Sequence, residues 1–206
     1  MGARGYENAF KLTLQPTRLR DPLKRRKPTV YFVNSMSDLF HDKVPFKYVD
    51  AVLDTINAAP QHRYQILTKR PERMAEYFAS RPVPSQVWLG TSVENRKHGI
   101  PRIATLRRIR ARIRFLSIEP LLEDLGTFDL AGISWVIVGG ESGPKARPMR
   151  AEWARSVKQQ CDTNDVPFFF KQWGSYGEDG IRRSKSSNGR TLDQKTWDGL
   201  PAAHHI

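Results

Sequence analysis

The sequence predicts an α/β fold, an incomplete TIM-like (βα) barrel of about six parallel strands. Three observations carry this reading. Six short apolar runs recur along the chain, segments of helical period lie between most of them, and each run ends in a polar cluster at its C-terminal edge. Sustained βα alternation implies a parallel sheet with right-handed crossovers. Six units fall short of the eight that close a barrel.

Each element follows in order. Val30-Tyr31-Phe32-Val33 leads into Asn34-Ser35-Met36-Ser37-Asp38. Pro45 suits a first helical turn, and Phe46, Val49, Val52, Leu53 and Ile56 then recur at three- and four-residue spacing until Pro60 stops the helix. Tyr64-Gln65-Ile66-Leu67 runs into Thr68-Lys69-Arg70, and Pro71 opens a short helix carrying Met74, Tyr77 and Phe78. Val87-Trp88-Leu89-Gly90 runs into Thr91-Ser92-Val93-Glu94-Asn95. A third helix, from about Asn95 to Arg112, has Ile100, Ile103, Leu106 and Ile109 on one stripe and arginines on the other. Ile113-Arg114-Phe115-Leu116 reaches Ser117-Ile118-Glu119-Pro120. The stretch 121–131 reads as a weak helical turn plus loop. Trp135-Val136-Ile137-Val138 leads to Gly139-Gly140-Glu141-Ser142, a helix follows over residues 151–164, and Pro167-Phe168-Phe169-Phe170 ends in Lys171-Gln172-Trp173.

The expected organisation is a basic N-terminal arm over residues 1–28, the partial barrel over 29–174, and a flexible tail over 175–206 in which residues 192–200 return to cover part of the fold. No apolar stretch approaches the roughly 20 residues that a membrane helix needs, so no membrane partner is expected. One cysteine, Cys161, excludes an internal disulfide and any all-cysteine metal site. No histidine pair has zinc-type spacing with a third ligand, so no metal is expected. A cytoplasmic location follows by default.

In a parallel sheet all six polar clusters gather at one rim, where α/β folds bind ligands. The candidate ligand-binding residues there are Asn34, Ser35, Thr68, Lys69, Glu94, Glu119, Gly139, Gly140, Glu141, Ser142 and Lys171. Glu141 stands out, because two glycines after a buried strand allow close approach of a ligand and the carboxylate can hold an ammonium or a ribose hydroxyl. The mixed charge of Glu94, Glu119, Lys69 and Lys171 fits a zwitterionic or phosphorylated ligand. It fits an internal ion-pair network equally well. Asp38 reads as a loop cap more than as a ribose ligand, and Trp173 as an adenine stacker or ordinary packing.

The 206 residues carry 34 Lys+Arg against 21 Asp+Glu, a net charge of +13, as expected of a protein that meets nucleic acid. Within the stretch 96–114 there is no acid, and Arg102, Arg107, Arg108, Arg110 and Arg112 are its candidate nucleic-acid contacts. A second block spans Arg18, Arg20, Lys24, Arg25, Arg26 and Lys27. A solvated helix face explains such charge as readily.

Several motifs form one ordered signature: Phe32-Val33-Asn34-Ser35-Met36-Ser37-Asp38-Leu39-Phe40, Leu67-Thr68-Lys69-Arg70-Pro71-Glu72-Arg73, Trp88-Leu89-Gly90-Thr91-Ser92-Val93-Glu94-Asn95, Ser117-Ile118-Glu119-Pro120-Leu121-Leu122, Trp135-Val136-Ile137-Val138-Gly139-Gly140-Glu141-Ser142-Gly143 and Phe168-Phe169-Phe170-Lys171-Gln172-Trp173-Gly174. The signature resembles the phage and bacterial family of unknown function named after phage gene products thirty-seven and sixty-eight. That resemblance implies a radical-SAM-like barrel and S-adenosylmethionine as the ligand. Members of the family carry a three-cysteine loop for a [4Fe–4S] cluster, and this chain begins beyond it. The resemblance therefore implies an iron–sulfur cluster only if another polypeptide supplies the cysteines, as in a split radical enzyme acting on nucleic acid or nucleotides. In radical-SAM proteins a Gly-Gly-Glu turn holding the methionine amine follows an early strand, whereas here it follows a late one. The alternative is a non-catalytic basic module that binds nucleic acid or a host factor. An open barrel edge also makes a homodimer an expected assembly.

Overall fold

The computed structural model describes residues 12–34 and 37–202. Short apolar runs form six strands: β1 (Val30–Val33), β2 (Arg63–Thr68), β3 (Val87–Ser92), β4 (Ile113–Ile118), β5 (Trp135–Gly139) and β6 (Phe168–Gln172). All five neighbouring pairs are parallel and follow sequence order. The result is an open half-barrel with β1 and β6 at its two edges. This is the incomplete (βα) barrel that the sequence predicts.

Strand geometry sends successive side chains to opposite faces, and the helices cover only one of them. That outer face packs Tyr64, Ile66, Leu89, Leu116, Ile118, Val136, Val138 and Phe170 against the helices in one continuous core. Helix α2 (Phe46–Ala58) buries Val49, Val52, Leu53 and Ile56, the spacing of a single helical stripe. Helix α3 (Pro71–Phe78) has proline in its first turn and buries Met74, Tyr77 and Phe78. Helix α5 (Ala151–Thr163) buries Ala154, Val157 and Cys161.

Two connections depart from the sequence reading. Helix α4 covers only Gly99–Arg107, not the longer span that its stripe permits. Arg107 pairs with Asp129 at 2.7 Å, and the Arg114 guanidinium donates to the Ile109 carbonyl at 2.8 Å. The chain thereby leaves the helix early and enters β4, while Ile109 stays buried. Between β4 and β5 there is no helix. Leu121, Leu125, Phe128 and Leu130 are buried from a loop, and Gln160 of α5 anchors it through bonds to Phe128 N and Gly126 O, both 3.0 Å.

The inner face carries a smaller apolar cluster of Trp88, Ile113, Phe115 and Trp135, with Leu67, Ile137 and Phe169 half-buried against it. Phe115 and Gly90 are register partners. The Phe115 ring fills the space where any larger residue at 90 would place its Cβ. Beyond Gly174 a short helix, α6 (Lys185–Asn188), precedes a return segment. Residues 197–199 run antiparallel along β6: Phe170 N donates to the Trp197 carbonyl at 2.9 Å and Gly199 N to the Phe168 carbonyl at 3.0 Å. The Trp135 indole donates to the Gly199 carbonyl at 2.7 Å.

Candidate functional site

Strand register stacks the inner face in layers. Leu67, Gly90, Phe115 and Trp135 share one level, and Ser92, Ser117, Ile137 and Phe169 the next. Above them, at the C-terminal rim, stand Lys69, Glu94, Glu119, Gly139 and Lys171. An apolar floor therefore lies beneath a charged layer.

Within that layer every acid has a basic partner. Glu94, whose side chain is only 8% exposed, pairs with Lys69 and, at 2.9 Å, with Arg102. Burial alone would raise its pKa, but the bond from Lys69 and the charges of Lys69 and Arg102 outweigh it and hold the carboxyl below its ordinary value. Glu119 accepts from the Lys171 ammonium at 2.8 Å and from the Gln172 amide at 3.0 Å. Glu141 is clamped in two-pronged fashion by the Arg147 guanidinium, with both bonds 2.8 Å, and accepts from the Arg147 backbone N–H at the same distance. Those bonds lower its pKa. The lysines are accessible members: Lys69 is 57% and Lys171 49% exposed, while Arg102 is mostly buried. The ion-pair network is real, and its ammonium groups still face solvent.

The two glycines leave no room for a ligand at the backbone. A Cβ at 139 would lie 3.1 Å from a Glu119 carboxylate oxygen, and one at 140 would overlap the Trp173 carbonyl. Gly139 thus makes room for Glu119, and Gly140 lets the loop after β5 rest on the loop after β6. Ser142 is exposed.

The loop after β1 is organised by Asp38, which accepts from Phe40 N at 2.9 Å, the Thr68 hydroxyl at 2.7 Å, Lys69 N at 3.1 Å and the Arg70 guanidinium at 3.1 Å. Thr68 is buried and its hydroxyl also accepts from Arg70 N, so its polar atom serves the fold. Asn34 turns the chain with φ 60° and donates to the Ser37 hydroxyl at 2.8 Å. Ser35 lies outside the described residues. Trp173 is a core residue, 2% exposed, packed on Phe170 and donating to the Thr191 carbonyl at 2.7 Å. It has no free face for an adenine.

The basic stretch divides. Arg102 reaches inward to Glu94 and to the Ser92 carbonyl, and Arg107 is held by Asp129. Both are structural ion-pair partners, whereas Arg108, Arg110 and Arg112 are exposed. Sequence reasoning did not single out Arg102, Arg147 and Gln172 as partners of the rim acids. Only Arg147 had a local signal, since it shares a loop with Glu141.

Cys161 sits fully buried in α5, and burial pushes its thiol up to about 12. It faces the core and not the rim, so it does not fit a ligand of an iron–sulfur cluster there. No described helix is long and apolar enough to cross a membrane.

A family model described as "Protein of unknown function (DUF5131)" matches residues 1–201. No curated protein and no solved structure matches the chain.

Proposed function

The chain belongs to DUF5131, a family of unknown function, and on that premise we propose that it binds an adenosyl- or nucleotide-type small molecule at the C-terminal rim of its half-barrel. The observation that carries this reading is the layered inner face. Half-buried Leu67, Ile137 and Phe169 and exposed Phe32 lie below Lys69 and Lys171, whose ammonium groups are half exposed. A flat ring suits the apolar level, and phosphate or carboxylate oxygens suit the two ammonium groups. Glu94 and Glu119, each just beyond the end of one of two adjacent strands and each paired with a lysine, suit a ligand amine that displaces a lysine from one of them.

S-adenosylmethionine joins a ring, an amine and a carboxylate in one molecule, and the signature motifs resemble a family that looks like a radical-SAM-type barrel. It is therefore the first ligand to try. The arrangement favours Glu119 over Glu141 as the amine partner, because Glu141 is clamped by the forked Arg147 guanidinium and the Arg147 backbone N–H, whereas Glu119 is held by one half-exposed lysine ammonium and a neutral amide. Radical chemistry would require three cluster thiolates, which Cys161 alone does not provide.

Calorimetric titration with S-adenosylmethionine, and with ATP as the nucleotide comparator, tests the reading. Binding that Glu119→Gln weakens tenfold or more, while Glu141→Ala leaves it within a few fold, is the expected result. No heat from either ligand, or equal affinity in Glu119→Gln, would remove the rim as the binding site.

A further inference from the structure

Part of the excess positive charge of the chain lies away from the rim. The sheet is parallel, so each residue that follows a helix and precedes a strand lies at the opposite, N-terminal end. The connection from α4 to β4 places Arg108, Arg110 and Arg112 there, all exposed and without an ion pair to another described residue. The segment before β1 reaches the same end. Gln61 and His62 lie between α2 and β2; the Gln61 amide donates to the Arg25 carbonyl at 3.1 Å, and the His62 ring nitrogen lies 3.0 Å from the Pro22 carbonyl. This contact fixes helix α1 (Asp21–Lys24) at the base of the sheet. Arg25, Arg26 and Lys27, directly after it, are exposed and form no ion pair with described residues.

Two basic stretches far apart in sequence therefore meet at one end of the fold. They flank β1 and β4, three strand spacings or about 14 Å apart, close to the ~12 Å width of a duplex major groove. Of the acids at this end, Asp21 is engaged with Arg18 and Lys24 and Asp129 with Arg107, while the exposed Asp165 stands before β6, at the far edge of the sheet from β1. Among described residues, the exposed large apolar side chains near this end are leucines, such as Leu23, and not aromatic rings. Single-strand binding relies on stacked rings, whereas duplex binding can rest on phosphates alone.

We propose that the N-terminal end of the half-barrel is a docking surface for the phosphate backbone of a nucleic acid duplex. Arg25, Arg26, Arg110 and Arg112 are its main contacts. The surface is independent of any ligand at the rim. It also reassigns the basic stretch: Arg110 and Arg112 bind, while Arg102 and Arg107 hold the fold.

The test is a fluorescence-polarisation titration of the full chain with a short labelled DNA duplex of arbitrary sequence, repeated across a range of salt. Three variants change the net charge equally: Arg25→Glu/Arg26→Glu, Arg110→Glu/Arg112→Glu, and Lys97→Glu/Lys145→Glu, whose exposed lysines precede α4 and α5 at the rim end. Each arginine pair is expected to weaken binding at least tenfold and to flatten the logarithmic salt slope by about two, with the lysine pair within about twofold of the parent. Arginine-to-glutamine versions repeat the measurement if a reversed pair melts below the parent. Equal losses in all three variants, salt-independent binding, or tighter binding to a single strand or to anionic vesicles than to the duplex would overturn the proposal.

Discussion

Glu119 reaches across the end of β5 and occupies the side of Gly139 that a side chain would otherwise fill: its carboxylate oxygen lies 3.1 Å from the position of a Cβ. The same carboxylate holds Lys171 and Gln172. Gly139→Ala is therefore expected to push Glu119 aside, cost about 1 kcal/mol of stability and weaken ligand binding at the rim. Thermal melting and the rim titration measure the two effects separately. A variant that binds and melts like the parent would show that Glu119 has room to spare.

Gly140 is less forgiving. A Cβ there would overlap the backbone carbonyl of Trp173, which cannot swing away as a side chain can. Gly140→Ala should cost about 3 kcal/mol or more through overpacking. Ser142→Ala, two residues on at an exposed position, should stay within about 0.5 kcal/mol of the parent. Urea unfolding of the pair checks both.

On the inner face Gly90 and Phe115 are coupled through space. Gly90→Ala forces the Phe115 ring to move and should cost about 2 kcal/mol. Phe115→Leu introduced into that variant should recover part of the loss, although alone it is destabilising. A double-mutant cycle reads the coupling, expected to exceed about 0.5 kcal/mol; additive effects would mean that the ring finds another position.

Glu94 links the rim to acid stability. Its folded-state pKa lies below the ordinary value of 4.5, so the ionised carboxylate stabilises the fold above that pH. The contribution is lost as pH falls through the lower, folded-state value. Glu94→Gln should lower stability at neutral pH by about 2 kcal/mol, because it leaves the mostly buried Arg102 without its counter-charge. It should also flatten the fall in Tm on acidification. Tm measured from neutral pH to about one unit below the ordinary glutamate range checks the sign, and an unchanged acid limb would count against it.

Cys161 supplies a probe of the core. With its thiol pushed up to about 12 and no exposure, it should not react with a thiol reagent at pH 8 in the folded protein. It should react at the ordinary rate in denaturant. Stoichiometric labelling of the native chain would mean that α5 opens readily.

Much of the fold was legible because strand and helix periods are local properties. Tyr64 and Ile66 on one face, and Val49, Val52 and Ile56 on one stripe, announce their elements without tertiary information. The stretch from Leu121 to Leu130 reads as a weak helical turn plus loop, and the structure makes all of it loop. Its leucines are spaced as in a helix, yet they are buried by the Gln160 anchor, which lies on another element. The end of α4 was hidden likewise, since Asp129 and Arg114 fix it from a distance. At the rim, the position of Glu94, Glu119 and Lys171 follows from their place after apolar runs. Their partners do not, because Arg102 meets Glu94 only once α4 has folded back beside β3. The glycines at 139 and 140 illustrate a further limit: sequence shows that space is made there but not what fills it.

The return of residues 197–199 along β6 makes the two margins of the sheet unlike. One is capped by the chain's own end in antiparallel register, while β1 pairs with β2 and has no second strand among the described residues. Among the described residues, the margin left for copies to join through their sheets is β1 against β1. A contact of a surface with itself is closed by a two-fold axis, and it uses up the open margin of both molecules. Growth by this route halts at a pair. Only a chain shortened before Trp197 would expose a second margin and allow copies to add without limit.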